Sequence, residues 1–304
     1  MTEERQTPVE GPEGLLLRAE RIAQGARLAE EYGERPPDVG RLAALAPGVA
    51  LDALDRILVS PEASAGLHCL HETGALAVLL PEVSAMVDFH RSSPVHHKDL
   101  WAHTLQVVEQ TPPDADLRWV ALLHDCGKIA TRFIGEDGKV TFLRHEQVGA
   151  LQARGVGGRL GMPNERVERI AFVVEHHGRL NAYESQWSDK ALRRLARDAG
   201  DRLEDLLAFS AADFTTGRHQ RRRSIHRRIS ELRERLDGLD SGGEGILPGG
   251  LAEVLMDRLN LEPGPEVGEI LRFIEVEICA ERLTATAPIE ELVEAAKRWR
   301  SQRV

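Results

Sequence analysis

Nowhere in these 304 residues does a run of alternating apolar and polar side chains extend far enough to build a sheet. The one candidate is a short hairpin, TRFIGEDGKVTFL, turning at Asp137-Gly138, because an Asp-Gly pair suits the twist of two joined strands. Elsewhere apolar residues recur at helical spacing. Aromatic residues make up only 4% of the chain, while Leu, Ala, Arg and Glu dominate, which favours helices over sandwiches or barrels. The expected fold class is all-α. With 42% hydrophobic residues the chain has enough apolar surface for a sizeable buried core.

Three widely spaced cysteines, Cys69, Cys126 and Cys279, include no Cys-x-x-Cys pair, so neither a disulfide framework nor a thiolate zinc site is indicated. A cytoplasmic setting fits that usage. The first residues, MTEERQTPVEGPEG, are polar where a signal peptide is apolar, and no apolar run approaches the ~18 residues of a membrane span. A net charge of -10 argues against indiscriminate coating of nucleic acid, yet leaves room for a local basic patch.

Punctuation by Gly and Pro divides the chain. Residues 1–37 read as a leader helix, LLLRAERIAQGARLAEEYG, closed by Gly33 and a Pro36-Pro37 linker. Residues 38–95 read as a small helical subdomain with two helices, ALDALDRILVS and SAGLHCLHETGALAVLL. Residues 96–236 carry most of the histidines and form the chemical module. Residues 237–250 hold six glycines and a proline and read as a linker, and residues 251–304 as a helical tail.

In that module the pattern LRWVALLHDCGK buries Leu117, Val120, Leu122 and Leu123 and ends at Gly127, so His124 and Asp125 emerge at a helix C-terminus. An imidazole and a carboxylate together suit a divalent Zn, Mn, Fe, Co or Mg ion. His103 lies 21 residues earlier, a distance that lets two antiparallel helices present both rings to one point. His145, the pair His176-His177 and Asp213 also fall on, or at the end of, helical patterns. Singly, each histidine also reads as a hydrogen-bonded core or surface residue. Asp213, in an apolar run, needs a partner, for which a metal, Arg218 or a helix N-terminus would serve.

The order His103, His124-Asp125, Asp213, with HDCGK at its centre, resembles the HD superfamily of phosphohydrolases. More narrowly, LHETGALAVLLPEV, HHKDLWAHTL, RHEQVGA, PNERVERIAFVVEHH and LEPGPEVGEILRFIE are similar to the C-terminal part of bacterial tRNA nucleotidyltransferases and poly(A) polymerase-like proteins. The resemblance implies an HD-domain helical bundle over residues 96–236, flanked by small helical subdomains. It also implies a first divalent metal on His103, His124, Asp125 and Asp213, and a second on His145, His176 and His177. One or two ions per chain are expected, with Mn, Ni, Co, Fe, Zn and Mg all open. The glycine-rich head and Asp-x-Asp pair of such polymerases should lie N-terminal to the match. Only the short leader stands there, and Asp52 and Asp55 have helix spacing in a leucine-rich pattern, so nucleotide addition is not expected.

The chemistry so implied is metal-assisted hydrolysis of a phosphoric ester, with Asp125 and Lys128 at its centre. Lys128 would neutralise phosphoryl charge or, alternatively, cap its helix. Arg218, Arg221, Arg222 and Arg223, with Arg227 and Arg228, form an acid-free stretch starting five residues after Asp213 and read as a phosphate rail, or else as a solvated helix. His96, His97 and Asp99 read as outer support of the site or as positioning the loop before the His103 helix, Cys126 as packing, and Trp101, Trp119 and Trp187 as core or interface residues. Three functions are compatible: a phosphodiesterase or phosphatase on RNA or tRNA 3' ends, a hydrolase of small nucleotides, dinucleotides or cyclic nucleotides, and a non-catalytic RNA-binding module. No membrane partner is expected, and a homo-oligomer stays open.

Overall fold

Asp99 and Asp114 start the two helices that carry the centre of the molecule. Each carboxylate accepts the backbone N–H three residues on, from Ala102 and from Leu117, both at 3.0 Å, which satisfies donors a helix start otherwise leaves bare. The computed structural model describes residues 11–26, 39–87, 89, 99–181, 183, 185–214, 219–241, 247–248, 250–280, 282–284 and 287–301. They contain sixteen α-helices and one two-stranded ribbon, so the all-α expectation holds.

The chain divides into two compact units, residues 1–185 with 199–230, and residues 186–198 with 231–304. In the first unit, α1 (Pro12–Ala23) packs on α2 (Pro47–Val59) and α3 (Ala63–Glu72), burying Leu15, Leu16, Ala19 and Ala23. Arg56 on α2 bonds Glu20 on α1 at 2.8 Å. This N-terminal helix is therefore part of the body rather than a leader; the expected Gly33 stop and Pro36-Pro37 linker lie outside the described residues. The pattern read as one helix over SAGLHCLHETGALAVLL is two, α3 and α4 (Ala75–Leu79). Gly74 turns the chain between them at φ 78°, a backbone conformation that residues with a Cβ rarely adopt. A short helix α5 (Pro81–Ser84) follows.

Next come α6 (Leu100–Gln110), α7 (Ala115–Leu123) and α8 (Lys128–Thr131). The expected hairpin is present, β1 (Phe133–Ile134) pairing antiparallel with β2 (Val140–Thr141). Then α9 (His145–Leu160) and α10 (Asn164–Asn181), joined by a three-residue link, pack along each other. Every residue from Leu117 to Leu123 on α7 is buried, not one face only, because α2, α6, α9, α10 and α12 (Leu203–Ser210) all contact it.

Burying α7 all round brings Arg118 into the interior. Its guanidinium donates to the carbonyls of Thr111 at 3.1 Å, Leu58 at 2.5 Å and Ser60 at 2.9 Å, oxygens that α2 and the α6–α7 link leave unpaired. Burial lowers its pKa. On the other side Arg166 of α10 holds Asp55 at 2.7 and 2.8 Å, and Asp55 accepts the Trp119 indole N–H at 2.6 Å. Arg166 also pairs with Asp116, and Arg169 with Asp205 of α12. These ties fix α2, α7, α10 and α12 as one frame.

The second unit contains α11 (Asp189–Ala199) up to residue 198, the end of α13 (His219–Ser241) from residue 231, α14 (Leu251–Leu259), α15 (Pro265–Cys279) and α16 (Ile289–Ser301). Leu251, Leu255, Ile270, Ile274, Leu292 and Ala296 form its core. Arg197 pairs with Glu275 at 3.4 Å, and Arg235 with Asp189 at 3.0 Å. Two boundaries differ from the sequence reading. Residues 186–198 group with the C-terminal helices, and α13 runs through Gly238 to Ser241, five residues into the expected linker. A lone glycine weakens a helix without ending it. No described helix is long and apolar enough to cross a membrane.

Candidate metal centre

Five elements deliver six side chains to one place. His103 lies in the first turn of α6, His124 caps the C-terminus of α7, Asp125 follows in the turn, His145 opens α9, His177 lies on α10, and Asp213 stands just after α12. Asp213 is thus in a turn and not, as its apolar context implied, inside a helix; its N–H bonds the Phe209 carbonyl at 3.0 Å. The turn 124–127 can sit on the start of α9 because residue 127 is glycine. A methyl there would run into the His145 carbonyl oxygen and lie 2.6 Å from the Gly149 nitrogen.

Asp125 stands at the middle and uses its two oxygens differently. Oδ2 lies 3.3 Å from His124 Nε2, 3.5 Å from His103 Nε2 and 2.7 Å from Lys128 Nζ. Oδ1 lies 3.6 Å from His145 Nε2 and 3.9 Å from His177 Nε2. Asp213 Oδ1 closes the first group, 3.4 Å from His103 Nε2 and 3.8 Å from His124 Nε2. Donor atoms that each bond one transition-metal ion at about 2.1 Å, at tetrahedral or octahedral angles, stand about 3 to 3.5 Å from each other. The distances among His103, His124 and Asp125, and that from Asp213 to His103, match that, while the 3.8 Å from Asp213 to His124 is slightly longer. Among the described residues two such groups exist, His103–His124–Asp125 and Asp125–His145–His177, sharing Asp125.

The backbone sets the tautomers. Nδ1 of His124, His145 and His177 lies 2.8, 2.9 and 2.7 Å from the carbonyl of Ala121, Phe142 and Val174, in each case the residue three positions earlier. A carbonyl only accepts, so each Nδ1 carries the hydrogen, and in the neutral ring Nε2 keeps its lone pair for a cation. The donor set therefore fits a divalent metal. Burial opposes charge at Asp125, yet His124, Lys128 and His177 hold its pKa well below the carboxylate range. Burial likewise opposes ionisation of Asp213, and His103, His124 and His177 outweigh it. His177 is pushed down to about 4, by burial first and by His124 second. A neutral His177 beside two ionised carboxylates is the state a metal needs.

The remaining sequence expectations divide. His176 does not join the cluster: its ring stacks on Phe172 at 4.2 Å and its Nδ1 meets the Phe172 carbonyl at 2.9 Å. Neighbours on a helix point about 100° apart, so only one of the pair can face Asp125. Lys128 is paired with Asp125, its ammonium 5.8 Å from the centre of the Phe142 ring. Arg218 and the side chain of Arg221 lie outside the described residues, as do His96 and His97, whereas Asp99 is the cap of α6. Arg222 and Arg223 are exposed on α13. The Arg222 guanidinium lies 5.7 Å over the ring of Phe214, the residue after Asp213, and the His226 ring meets the same ring edge-on at 5.6 Å.

Cys126 is fully buried, with Sγ donating to the Leu123 carbonyl at 2.9 Å. Glu146, passed over in the sequence, lies 3.3 Å from His145 Nδ1, and adjacency to a histidine was its only signal. Three acidic residues with a claim to a polymerase-type metal pair are otherwise engaged: Asp55 holds Arg166 and Trp119, Asp114 caps α7, and Asp116 pairs with Arg166. Asp114-Ala115-Asp116 is an Asp-x-Asp spacing that the sequence reading overlooked.

The sequence comparisons agree with this geometry. Residues 100–215 match the family model described as HD domain, a span that takes in His103, His124, Asp125, His145, His177 and Asp213. This part of the chain is an HD domain. The chain is 37% identical over 229 residues to a CC-adding tRNA nucleotidyltransferase of Thermus thermophilus, covering 73% of this chain and 50% of that protein. It is 31% identical over 234 residues to an A-adding tRNA nucleotidyltransferase of Deinococcus radiodurans, covering 73% and 52%. A multifunctional CCA protein of Pseudomonas aeruginosa is 32% identical over 168 residues. The chain therefore spans about half the length of the first two relatives.

Proposed function

We propose that this HD domain is a metal-dependent phosphoric ester hydrolase acting on RNA 3' ends, opening 2',3'-cyclic phosphates or removing terminal 2'- or 3'-phosphates. The observation that carries the reading is Asp125, whose two oxygens face two separate sets of imidazole nitrogens. Divalent ions held by His103, His124, Asp125 and Asp213, and by Asp125, His145 and His177, would polarise a phosphoryl oxygen and lower the pKa of water from 15.7 to about 7. Lys128, held 2.7 Å from Asp125, would set a positive charge beside a phosphoryl group bound there. The carbonyls of Ala121, Phe142 and Val174 keep three rings in the orientation and tautomer that leave Nε2 free.

The choice of RNA rests on the likeness to tRNA nucleotidyltransferases and on Arg222 and Arg223, exposed on the helix that touches Phe214 beside Asp213. Nucleotide addition is not part of the proposal, because Asp55, Asp114 and Asp116 are committed to holding the frame. A cytoplasmic setting is in keeping with cysteines that are few and, at Cys69 and Cys126, buried. The test is hydrolysis of an RNA oligonucleotide ending in a 2',3'-cyclic phosphate, set against mononucleotides, dinucleotides and cyclic nucleotides, each with Mn, Ni, Co and Mg. Release from the RNA end at the highest kcat/KM supports the proposal. Preference for a free nucleotide would move the assignment to small-nucleotide hydrolysis, and no turnover with any metal would leave an RNA-binding module.

A further inference from the structure

We infer that Gln110 is a positioning residue for Asp213, an inference that rests on reading Asp213 as a metal ligand. Its side-chain amide donates one hydrogen bond to the Ala212 carbonyl at 2.8 Å and another to the Phe214 carbonyl at 2.9 Å. Both hydrogens of the amide are thus spent on the two residues flanking Asp213. A carbonyl only accepts, so these two partners fix which way round the amide sits, and its oxygen accepts from Gln106 Nε2 at 3.2 Å.

The placement follows from helix geometry. Gln110 lies seven residues after His103 on α6, nearly two whole turns, so both side chains leave the same face. One helix therefore supplies the His103 ring, 3.4 Å from the Asp213 carboxylate, and the amide that grips the backbone on either side of that carboxylate. Residues 211–214 have left α12, and their backbone N–H groups make short-range bonds, from Ala211 to Leu207 O at 3.1 Å, Ala212 to Phe209 O at 2.8 Å, Asp213 to Phe209 O at 3.0 Å and Phe214 to Ala212 O at 2.8 Å. Gln110 adds a long-range tie to the loop backbone, spanning more than 100 residues of sequence to set the loop against α6. Groups that orient a ligand in this way typically affect metal affinity 10- to 100-fold.

The experiment compares full-length wild type with Gln110→Leu, which keeps size and loses both donors, and with Gln110→Lys, which restores a donor within reach of both carbonyls. Hydrogen exchange on the metal-free chains reads the loop directly. Mn²⁺ titration in a His145→Ala background reads the His103–His124–Asp125–Asp213 set alone. The expected result for Leu is faster exchange at Asp213 and Phe214 with α7 still protected, and a Mn²⁺ dissociation constant raised about 10- to 100-fold, largely recovered by Lys. Unchanged exchange at the loop, or equal loss of protection in the loop and α7, overturns the inference, as does identical behaviour of Leu and Lys. Absence of Mn²⁺ binding in the wild type would instead refute the metal reading, while the exchange data would still decide whether Gln110 holds the loop.

Discussion

The Nε2 atoms of His103 and His124 face each other across 3.2 Å. His124 spends its Nδ1 hydrogen on the Ala121 carbonyl, so its Nε2 offers only a lone pair unless a further proton is taken up. Burial works against such a charge, yet Asp125 and Asp213 hold the His124 pKa above its ordinary value. The pocket is built for positive charge, and a divalent ion supplies it without the proton. Asp125 repeats the arrangement with His145 and His177 on its other oxygen.

From the shared carboxylate comes a prediction about stoichiometry. Asp125→Ala should remove both ions and all hydrolysis, whereas His145→Ala should lose one ion and keep the other. Elemental analysis of the gel-filtered variants measures this against about two ions per wild-type chain. Equal metal content in the two variants would refute a bridging Asp125.

Gly127 carries a stability prediction. Its Cβ position is occupied by the His145 carbonyl oxygen and crowded by the Gly149 nitrogen, both rigid backbone atoms. Gly127→Ala should push the His124–Asp125 turn off α9, costing about 1–3 kcal/mol in a urea titration and weakening metal binding in parallel. Wild-type stability with wild-type metal affinity would mean that the turn relaxes freely.

Although Cys126 adjoins Asp125, it should be chemically silent. Burial chiefly, with Glu82 and Asp125 adding to it, pushes its pKa up to about 12, and its Sγ is turned to the Leu123 carbonyl. Below that pH the thiolate is scarce, and the nucleophile in alkylation is the thiolate. Iodoacetamide at pH 8 should leave Cys126 unlabelled in native protein and label it in urea, as read by peptide mass spectrometry. The same shift means that, from this group alone, stability falls as pH rises past the unfolded value of about 8.5, because the unfolded chain then loses the proton first.

How much of this was legible beforehand varies with the range of the interaction involved. Helix type, the hairpin at Asp137-Gly138 and the emergence of His124-Asp125 at a helix end follow from local pattern, and the structure agrees. The separation of His177 from His176 needs the rotational register of α10 against α7 and α9, and two adjacent histidines carry no such information. The integration of α1 into the body depends on which helix its leucines meet, which amphipathic spacing leaves open. Gln110 was invisible for a related reason: its partners are backbone carbonyls, and a carbonyl has no sequence signature.

The last prediction separates RNA capture from chemistry. Net charge is -10, yet Arg222 and Arg223 stand exposed on α13, and Arg222 covers the ring next to Asp213. Neither arginine is among the charged groups that act on Asp125, which are His124, Lys128 and His177. If they hold the RNA backbone, changing both to Ala should weaken binding of a single-stranded RNA and flatten its salt dependence by about 0.7 in log–log slope for each phosphate no longer neutralised. Metal content should stay the same. Turnover of bis-p-nitrophenyl phosphate should persist, since a small ester reaches the metals without touching the helix. Both substrates are to be followed on the same variant across a salt series. Equal losses on the two would assign the arginines to folding or to the centre itself, whereas unchanged RNA affinity with an unchanged salt slope would make this stretch of α13 an ordinary solvated surface.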